Sequence, residues 1–336
     1  MAANKRIYWA VQAVAIAVHG YGQSALLSTS HIVRGLQSAG ITSTFNLEQV
    51  FEMGQLSLYE NIQEIPDVEV TLEKVLDDDK LIYLMAAPQA STSISKGSND
   101  RADVYLGIWA DTADFAGSGY PQASVYCSGM YVSSVSYTMP VDGNCTEAVT
   151  LVGNDKVWTS GDNFGTQTFG FDAAGGPDED SPGTNGVQRR ENVNISSSTI
   201  PKPVDNAGHA NDGGIQSISV STDLGREEIR QLGSFGPYHR YVTFPVEVTS
   251  EFEVISASGD LVDVSSSAPT VTDQSIIIVL TDGTQFNLGS KNKLASASYT
   301  GGDTGGGNVS VTYSYRNFND VSITSPVETG FYDRLI

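Results

Sequence analysis

The side chains able to do chemistry are few, and their spacing does not assemble a reaction centre. The four histidines are His19, His31, His209 and His239. A Ser-His-Asp triad needs a base held beside its nucleophile, and no GxSxG turn lies near any of them to present a serine. They read as surface or turn histidines, at a strand end and in loops. The two cysteines, Cys127 and Cys145, are too few for a disulfide scaffold or a zinc module. They read as two half-buried thiols, with a lone disulfide as the other option. The glycine-rich GGDTGGGNVS (301–310) lacks the Lys-Ser/Thr of a phosphate loop and opens no helix, so it reads as a hairpin loop. The acidic runs DDD (77–79) and PDEDSPG (177–183) lack the alternating ligand pattern of a calcium loop and read as solvated turns. With 39 acidic residues, a glycosidase-type carboxylate pair cannot be picked out by spacing. The NxS/T triplets at Asn144, Asn194 and Asn308 are common by chance. The sequence calls for no enzyme activity, no cofactor and no metal.

Charge narrows the partners. Eighteen basic residues stand against 39 acidic ones, a net charge of −21. A tight nucleic-acid binder needs Lys and Arg to displace counterions from phosphate. This composition excludes a general phosphate-binding surface, but it suits a surface that must not adhere to nucleic acid. The chain is 336 residues long and 40% apolar, enough for about two domains. No segment approaches membrane-spanning length. The apolar run IYWAVQAVAIAV (7–18) follows Lys5 and Arg6 like a secretory signal. However, Gln12 interrupts it, and its Tyr, Trp, Val and Ile favour a strand, so a buried strand is expected.

The elements that must position any site are overwhelmingly β. Strands are expected in GLQSAGITSTF (35–45), VEVTLEKVL (68–76), KLIYLMAAP (80–88), ADVYLGIWA (102–110) and ASVYCSGMYVSSVSYT (123–138). Others fall in RYVTFPVEVTSEFEVISA (240–257), QSIIIVLTDG (274–283) and NVSVTYSYRNF (308–318). Period-two alternation and β-branched residues mark them, with Gly, Asp, Asn and Pro between. TDGT (281–284) predicts a hairpin turn. Two short helices are expected, FNLEQVFEMG (45–54) and DLGREEIRQLG (223–233), with Asn46 and Asp223 as caps and a glycine ending each.

Those two segments occupy equivalent places in a repeat. At an offset of 179, Gly35, Gln37, Ser38, Glu48, Gly54, Tyr59 and Pro66 match Gly214, Gln216, Ser217, Glu227, Gly233, Tyr238 and Pro245. After one dropped residue, VEVT (68–71) meets VEVT (246–249). SVSYT (134–138) meets SASYT (296–300) at an offset of 162, as do the VT pairs at 149–150 and 311–312. A tandem duplication of one β domain follows, with a first domain over 1–160 and a second over 188–336. Residues 161–187, rich in Gly, Asp and Pro, are a linker or extended loop. The second domain opens with a strand in NVNISSSTI (192–200), equivalent to the 7–18 strand, followed by a polar loop (201–214).

VRGLQSAGITSTFNLEQVFEMGQLSLYENIQEIPDVEVTLEKVL (33–76), RRENVNISSSTI (189–200) and IQSISVSTDLGREEIRQLGSFGPYHRYVTFPVEVTSEFEVIS (215–256) resemble tail-tube proteins of tailed bacteriophages and related virion structural proteins. The resemblance implies two tandem β-sandwich or half-barrel domains, each with one short helix. It implies rings whose inner strands close one barrel, stacked into a tube through which DNA passes without specific binding. Two domains per chain imply three chains per pseudo-sixfold ring. The implied partners are copies of the chain and other tail proteins such as sheath, baseplate or terminator. The implied location is the virion tail, assembled in the host cytoplasm. The segments Gly54–Pro66 and Gly233–Pro245, with Glu52, Tyr59 and Tyr238, are the stacking candidates. Another ring component, such as a tail terminator, baseplate ring or decoration protein, is the nearest alternative. A secreted acidic β adhesin, carbohydrate-binding protein or glycosidase is the rival class. It would show cleavage near residue 17 and stabilisation by calcium.

Overall fold

The computed structural model describes residues 7–20, 31–110, 116, 121–160, 186–196, 198–208, 214–256, 258–302 and 307–326. His209, the PDEDSPG run and most of the 161–187 segment lie outside the described residues, as do most of the 19–30 loop and the middle of the 301–310 loop.

The fold is all-β. Its first half holds β1 (Gln12–Val18), β2 (Leu36–Thr44), β3 (Leu47–Phe51), β4 (Leu58–Gln63), β5 (Asp67–Val75), helices α1 (Ile82–Ala86) and α2 (Ile94–Gly97), β6 (Ala102–Ile108), β7 (Ala123–Pro140), β8 (Thr146–Gly153) and β9 (Asp155–Ser160). The second half holds β10 (Val193–Asn194), α3 (Lys202–Gly208), β11 (Gly214–Asp223), β12 (Arg226–Ile229), β13 (His239–Val242) and β14 (Glu247–Ile255). It ends with β15 (Ile277–Leu280), β16 (Gln285–Asn287), β17 (Lys293–Thr300), β18 (Ser310–Phe318) and β19 (Ser322–Thr324).

One antiparallel path runs β17-β18-β14-β11-β7-β8-β5-β2 across the whole chain. A smaller sheet backs each half. In the first half, β1 pairs with β6, β6 with the start of β7, and β7 with β9; in the second the order is β10-β15-β16-β19. β7 serves both sheets of its half, and Gly129, at φ +60°, lies where it passes from one to the other. A buried Asp103 carboxylate accepts the Gly129 N–H there at 2.9 Å. The core lies between the sheets, because alternate residues of each main strand point inward. Val68, Val70 and Leu72 of β5 and Val248, Phe252 and Val254 of β14 are buried, while their neighbours are more exposed.

The strand pairing repeats with the sequence. The β-bulge between Leu36 and Ser38 in β2 recurs between Ile215 and Ser217 in β11, an offset of 179. The bulge between Val132 and Ser134 in β7 recurs between Leu294 and Ser296 in β17, an offset of 162. Through these anchors, the residue equivalent to Val68 is Val248 and the residue equivalent to Val149 is Tyr313. The VEVT match and the VT match are therefore each two residues out of structural register. A two-residue slip keeps every side chain on its own face, so the hydrophobic pattern cannot detect it.

Three other expectations are corrected. Residues 45–54 and 223–233 are not helical: they contain β3 and β12, each paired in a hairpin with β4 or β13. The apolar spacing of Leu47, Val50 and Phe51 imitates a helical stripe, but a register shift between Val50 and Phe51 produces it in a strand. Asn46 ties the hairpin base to the Ile65 carbonyl and to Asp67 instead of capping a helix. Asp223 accepts the Gly225 N–H in a turn. The expected strand at 80–88 is the buried helix α1 with its flanking turns. A fully apolar run does not distinguish a buried strand from a buried helix. Here the deciding partner is remote: Glu147 of β8 accepts the Ile82 and Tyr83 N–H groups at 2.7 and 3.0 Å. The polar segment 201–214 begins with helix α3, so the short helices of the two halves stand at non-equivalent positions. The TDGT turn is present, with Asp282 accepting from the Thr284 N–H and hydroxyl at 2.8 and 3.0 Å.

Candidate assembly interfaces

The main path is continuous because β11, which begins the second half's part of it, pairs with β7, which ends the first half's. The register runs from Ser217 opposite Pro140 to Asp223 opposite Ser134. Val220 stands opposite Tyr137, and both are buried. The Tyr137 hydroxyl donates to Glu147 at 2.9 Å, and its ring packs on Phe286 at 4.6 Å. Burial pushes the Glu147 carboxyl above its ordinary pKa, while Lys74, the two α1 N–H groups and the Tyr137 hydroxyl pull it back.

Among the described residues, the two ends of the path are unpaired edges made of equivalent strands. β2 is equivalent to β11, and β17 is equivalent to β7. One end therefore offers the partner that the other end lacks. Residues buried in the internal joint have uncovered equivalents at the edges: Tyr137 is 1% exposed and Tyr299 is 54%. Ile218 is buried and its equivalent Ala39 is exposed. Long unpaired edges are templates for strand addition.

The face of this path turned from the core is built from Ser, Thr and Glu. It carries Glu69, Thr71 and Glu73 on β5, Thr150 on β8, Ser134 and Ser136 on β7, Ser219 and Ser221 on β11, and Glu251 and Glu253 on β14. Thr312 and Ser314 on β18 and Ser296 and Ser298 on β17 continue it. Its bases, Arg316 and Lys293, stand opposite one another at one rim.

The hairpins rise at that rim. Arg226 of β12 donates from Nε to the Val132 carbonyl at 2.7 Å and from Nη1 to the Ser98 carbonyl at 2.5 Å, with its guanidinium 5.1 Å from the Tyr131 ring centre. Burial lowers its pKa to about 10. His239 of β13 meets the Tyr131 hydroxyl at 2.7 Å. Arg240 holds Asp67 at 2.6 Å. Burial raises the Asp67 pKa, but the bonds from Asn46 and Arg240 outweigh it and leave the carboxyl below its ordinary value. The second hairpin thus lies on the first half. The first hairpin, β3–β4, exposes Leu47, Phe51, Met53, Leu56, Leu58, Tyr59 and Ile62.

The sequence-selected residues fall on these two hairpins and their bases. Gly54 and Gly233 take φ of +104° and +84° with open space around them, as turn glycines. Tyr59 and Tyr238 are both exposed. Glu52 accepts from the Gln55 amide at 2.9 Å. The Pro66 carbonyl accepts from Asn154, and Pro245 follows a cis peptide bond between β13 and β14. The segments are strand-bearing arms rather than loops. The edges β2 and β17 were not singled out, because no local residue marks which strand pairs across the halves.

Other candidates are placed as follows. His19 meets Asp103 at 2.7 Å. His31 is buried, and His239 is half-buried on a strand, so neither is a surface turn histidine. Both cysteines are free and buried, and burial pushes each thiol up to about 11. Asp77 and Asp79 form ion pairs with Lys74 and Arg34 at 3.0 and 4.0 Å. Among the described residues no group of three or more His, Cys, Asp or Glu side chains is placed to hold a metal ion. No helix among them is long and apolar enough to cross a membrane.

No family model matches the chain, and no curated protein matches it significantly. Solved structures overlap about half of it, three of them as follows. The tube-terminating cap of the anti-feeding prophage is 12% identical, with 48% of this chain and 95% of that chain covered and a TM-score of 0.35. A chain of the six-fold symmetrised anti-feeding prophage baseplate is 10% identical, with coverage of 47% and 97% and a TM-score of 0.32. A chain of an extracellular contractile injection system, from its sheath–tube complex in the extended state, is 10% identical, with coverage of 46% and 93% and a TM-score of 0.34. These likenesses are remote, and the functional reading rests on the chain's own strand pairing.

Proposed function

We propose that this chain is a structural subunit of a phage-like tail tube, formed by tandem duplication of one ring-forming β domain. The observation that carries the reading is the internal joint. β11 pairs with β7 inside the chain, and among the described residues β2 and β17, their equivalents, are left unpaired on their outer sides at opposite ends of the same path. Repeating the joint between copies places β2 of one chain beside β17 of the next, with Ile41 opposite Tyr299. Such head-to-tail contacts close into a ring when the rotation permits, and closure removes both edges.

Three chains are the proposed ring. With eight main-path strands each, they close a 24-stranded barrel. At ordinary strand spacing and tilt its backbones stand roughly 45–50 Å apart, wider than a DNA duplex. The Ser-, Thr- and Glu-rich face then lines the lumen. Its carboxylates repel phosphate and its hydroxyls offer no fixed positive charge, so DNA slides without adhering. The exposed apolar tips of the hairpins, Met53 and Leu56 with Leu232 and Phe235, suit contact with the ring above or below. That favours a stacked tube over a single-layer terminator or baseplate ring. The role is structural, in a virion or virion-like tail, and asks for no catalysis.

Electron microscopy of the purified protein over a concentration series, with mass per ring, tests this. Rings of three chains with apparent six-fold symmetry, stacking as concentration rises, are expected. A monomer at every concentration, with or without a baseplate initiator, would refute it.

A further inference from the structure

The two hairpins are equivalent in position but opposite in chemistry. The first, over 45–63, carries Glu48, Glu52 and Glu60 and no basic residue. The second, over 226–242, carries Arg226, Arg230, Arg240 and His239 against Glu227 and Glu228. The surfaces they would rest on differ in the opposite sense. In the first half, the second hairpin meets Tyr131 through His239 and Asp67 through Arg240. In the second half, the position of Tyr131 is Lys293, and the position of the neighbouring Val152 is Arg316. Arg316 is paired with Glu247, the counterpart of Asp67, at 3.1 Å, so the charge left to offer at this rim is that of Lys293, which is exposed and makes a long 3.6 Å contact to an exposed Asp273.

Equivalence within the hairpins is fixed by their pairing. Val50 stands opposite Glu60 as Ile229 stands opposite His239. Glu60 is therefore the counterpart of His239, and Lys293 is the counterpart of its partner Tyr131. Phe45 is the counterpart of Leu224. Leu224 is 2% exposed, with its N–H on the Ser133 carbonyl at 2.7 Å, whereas Phe45 is 62% exposed.

Resting on the ring reading, we infer that the β3–β4 hairpin clasps the second half of a neighbouring copy of this chain, with Glu60 paired to Lys293 and Phe45 covered at its base. The contact repeats the internal one with a charge swap. An acidic hairpin seats on a basic rim between copies, where a basic hairpin seats on a neutral-to-acidic rim within the chain. Like charges disfavour the wrong combinations, the basic hairpin on the basic rim above all. The swap thus fixes head-to-tail order.

The test is ring assembly of the full chain at low and high salt, followed by sedimentation and electron microscopy. Glu60 and Lys293 are both exposed, so neither substitution disturbs a core. E60K and K293E are each expected to raise the concentration needed for rings about tenfold at low salt, with less effect at high salt. The double variant E60K/K293E is expected to restore assembly. Rings in the wild type with unchanged assembly in both single variants would overturn the clasp and leave the ring reading standing. The same holds if the double variant is no better than the singles. Absence of rings from the wild type at every concentration would overturn both.

Discussion

The joint between β11 and β7 and the pair of free edges β2 and β17 are the same structure in two states, one closed within the chain and one open. In the closed state Val220 and Tyr137 face each other and are buried; in the open state, among the described residues, no strand pairs on the outer side of Tyr299 or Ile41. The difference teaches that one residue pattern is core in one place and, on the proposed ring, interface in another. Substitutions at equivalent positions should therefore separate stability from assembly.

The largest effect is expected from one substitution made twice. V220D puts a carboxylate in the closed joint, where an unpaired buried charge costs several kcal/mol, so the chain should lose its cooperative melt or melt far lower. I41D puts it at the open edge, where the side chain is only partly buried against the core and the charge can turn to water. Its melting temperature should fall much less than that of V220D while ring formation disappears by electron microscopy. Equal loss of stability in both variants would break the comparison.

A smaller effect is expected at the hairpin tips. M53D/L56D adds charge to side chains that touch little within the chain, so single rings should persist while stacks shorten or vanish. Smaller again is the effect on the polar face. E69K/E73K/E251K/E253K should leave rings intact but make them retain duplex DNA in filter-binding assays, with retention falling steeply as salt rises. The least effect concerns pH. Burial raises the Glu147 pKa in the folded state above its ordinary 4.5. The folded state therefore holds the proton more tightly, and stability falls as pH climbs from that value through the folded pKa. E147Q should flatten this slope in urea titrations across the mildly acidic range.

Much of the fold was legible in the sequence. Period-two alternation marked β5, β7, β14 and β18, β-branched and aromatic residues marked β6, and TDGT marked the β15–β16 turn. Where the sequence misled, the deciding partner was distant or the pattern was degenerate. α1 depends on a carboxylate 65 residues away. β3 exposes so much apolar surface that a helical stripe and a strand awaiting cover look alike, and β12, Arg-Glu-Glu-Ile, is too short and polar to show alternation. The matched VEVT phrases sit two residues out of register because a two-residue slip preserves the buried face. The hairpins were legible as equivalent segments through Gly54, Gly233, Tyr59 and Tyr238. The edges were not, because strand order across the halves is a property of the whole sheet.

The most direct measurement is an in-register cross-link. Carrying the internal pair Ser221–Ser136 onto the edges places Thr42 opposite Ser298. T42C/S298C, oxidised gently with Cys127 and Cys145 buried, should give covalent dimers and trimers and a ladder that closes at three chains. The off-register control T42C/T300C should give little. No cross-linking in either variant, or equal cross-linking in both, would contradict the account.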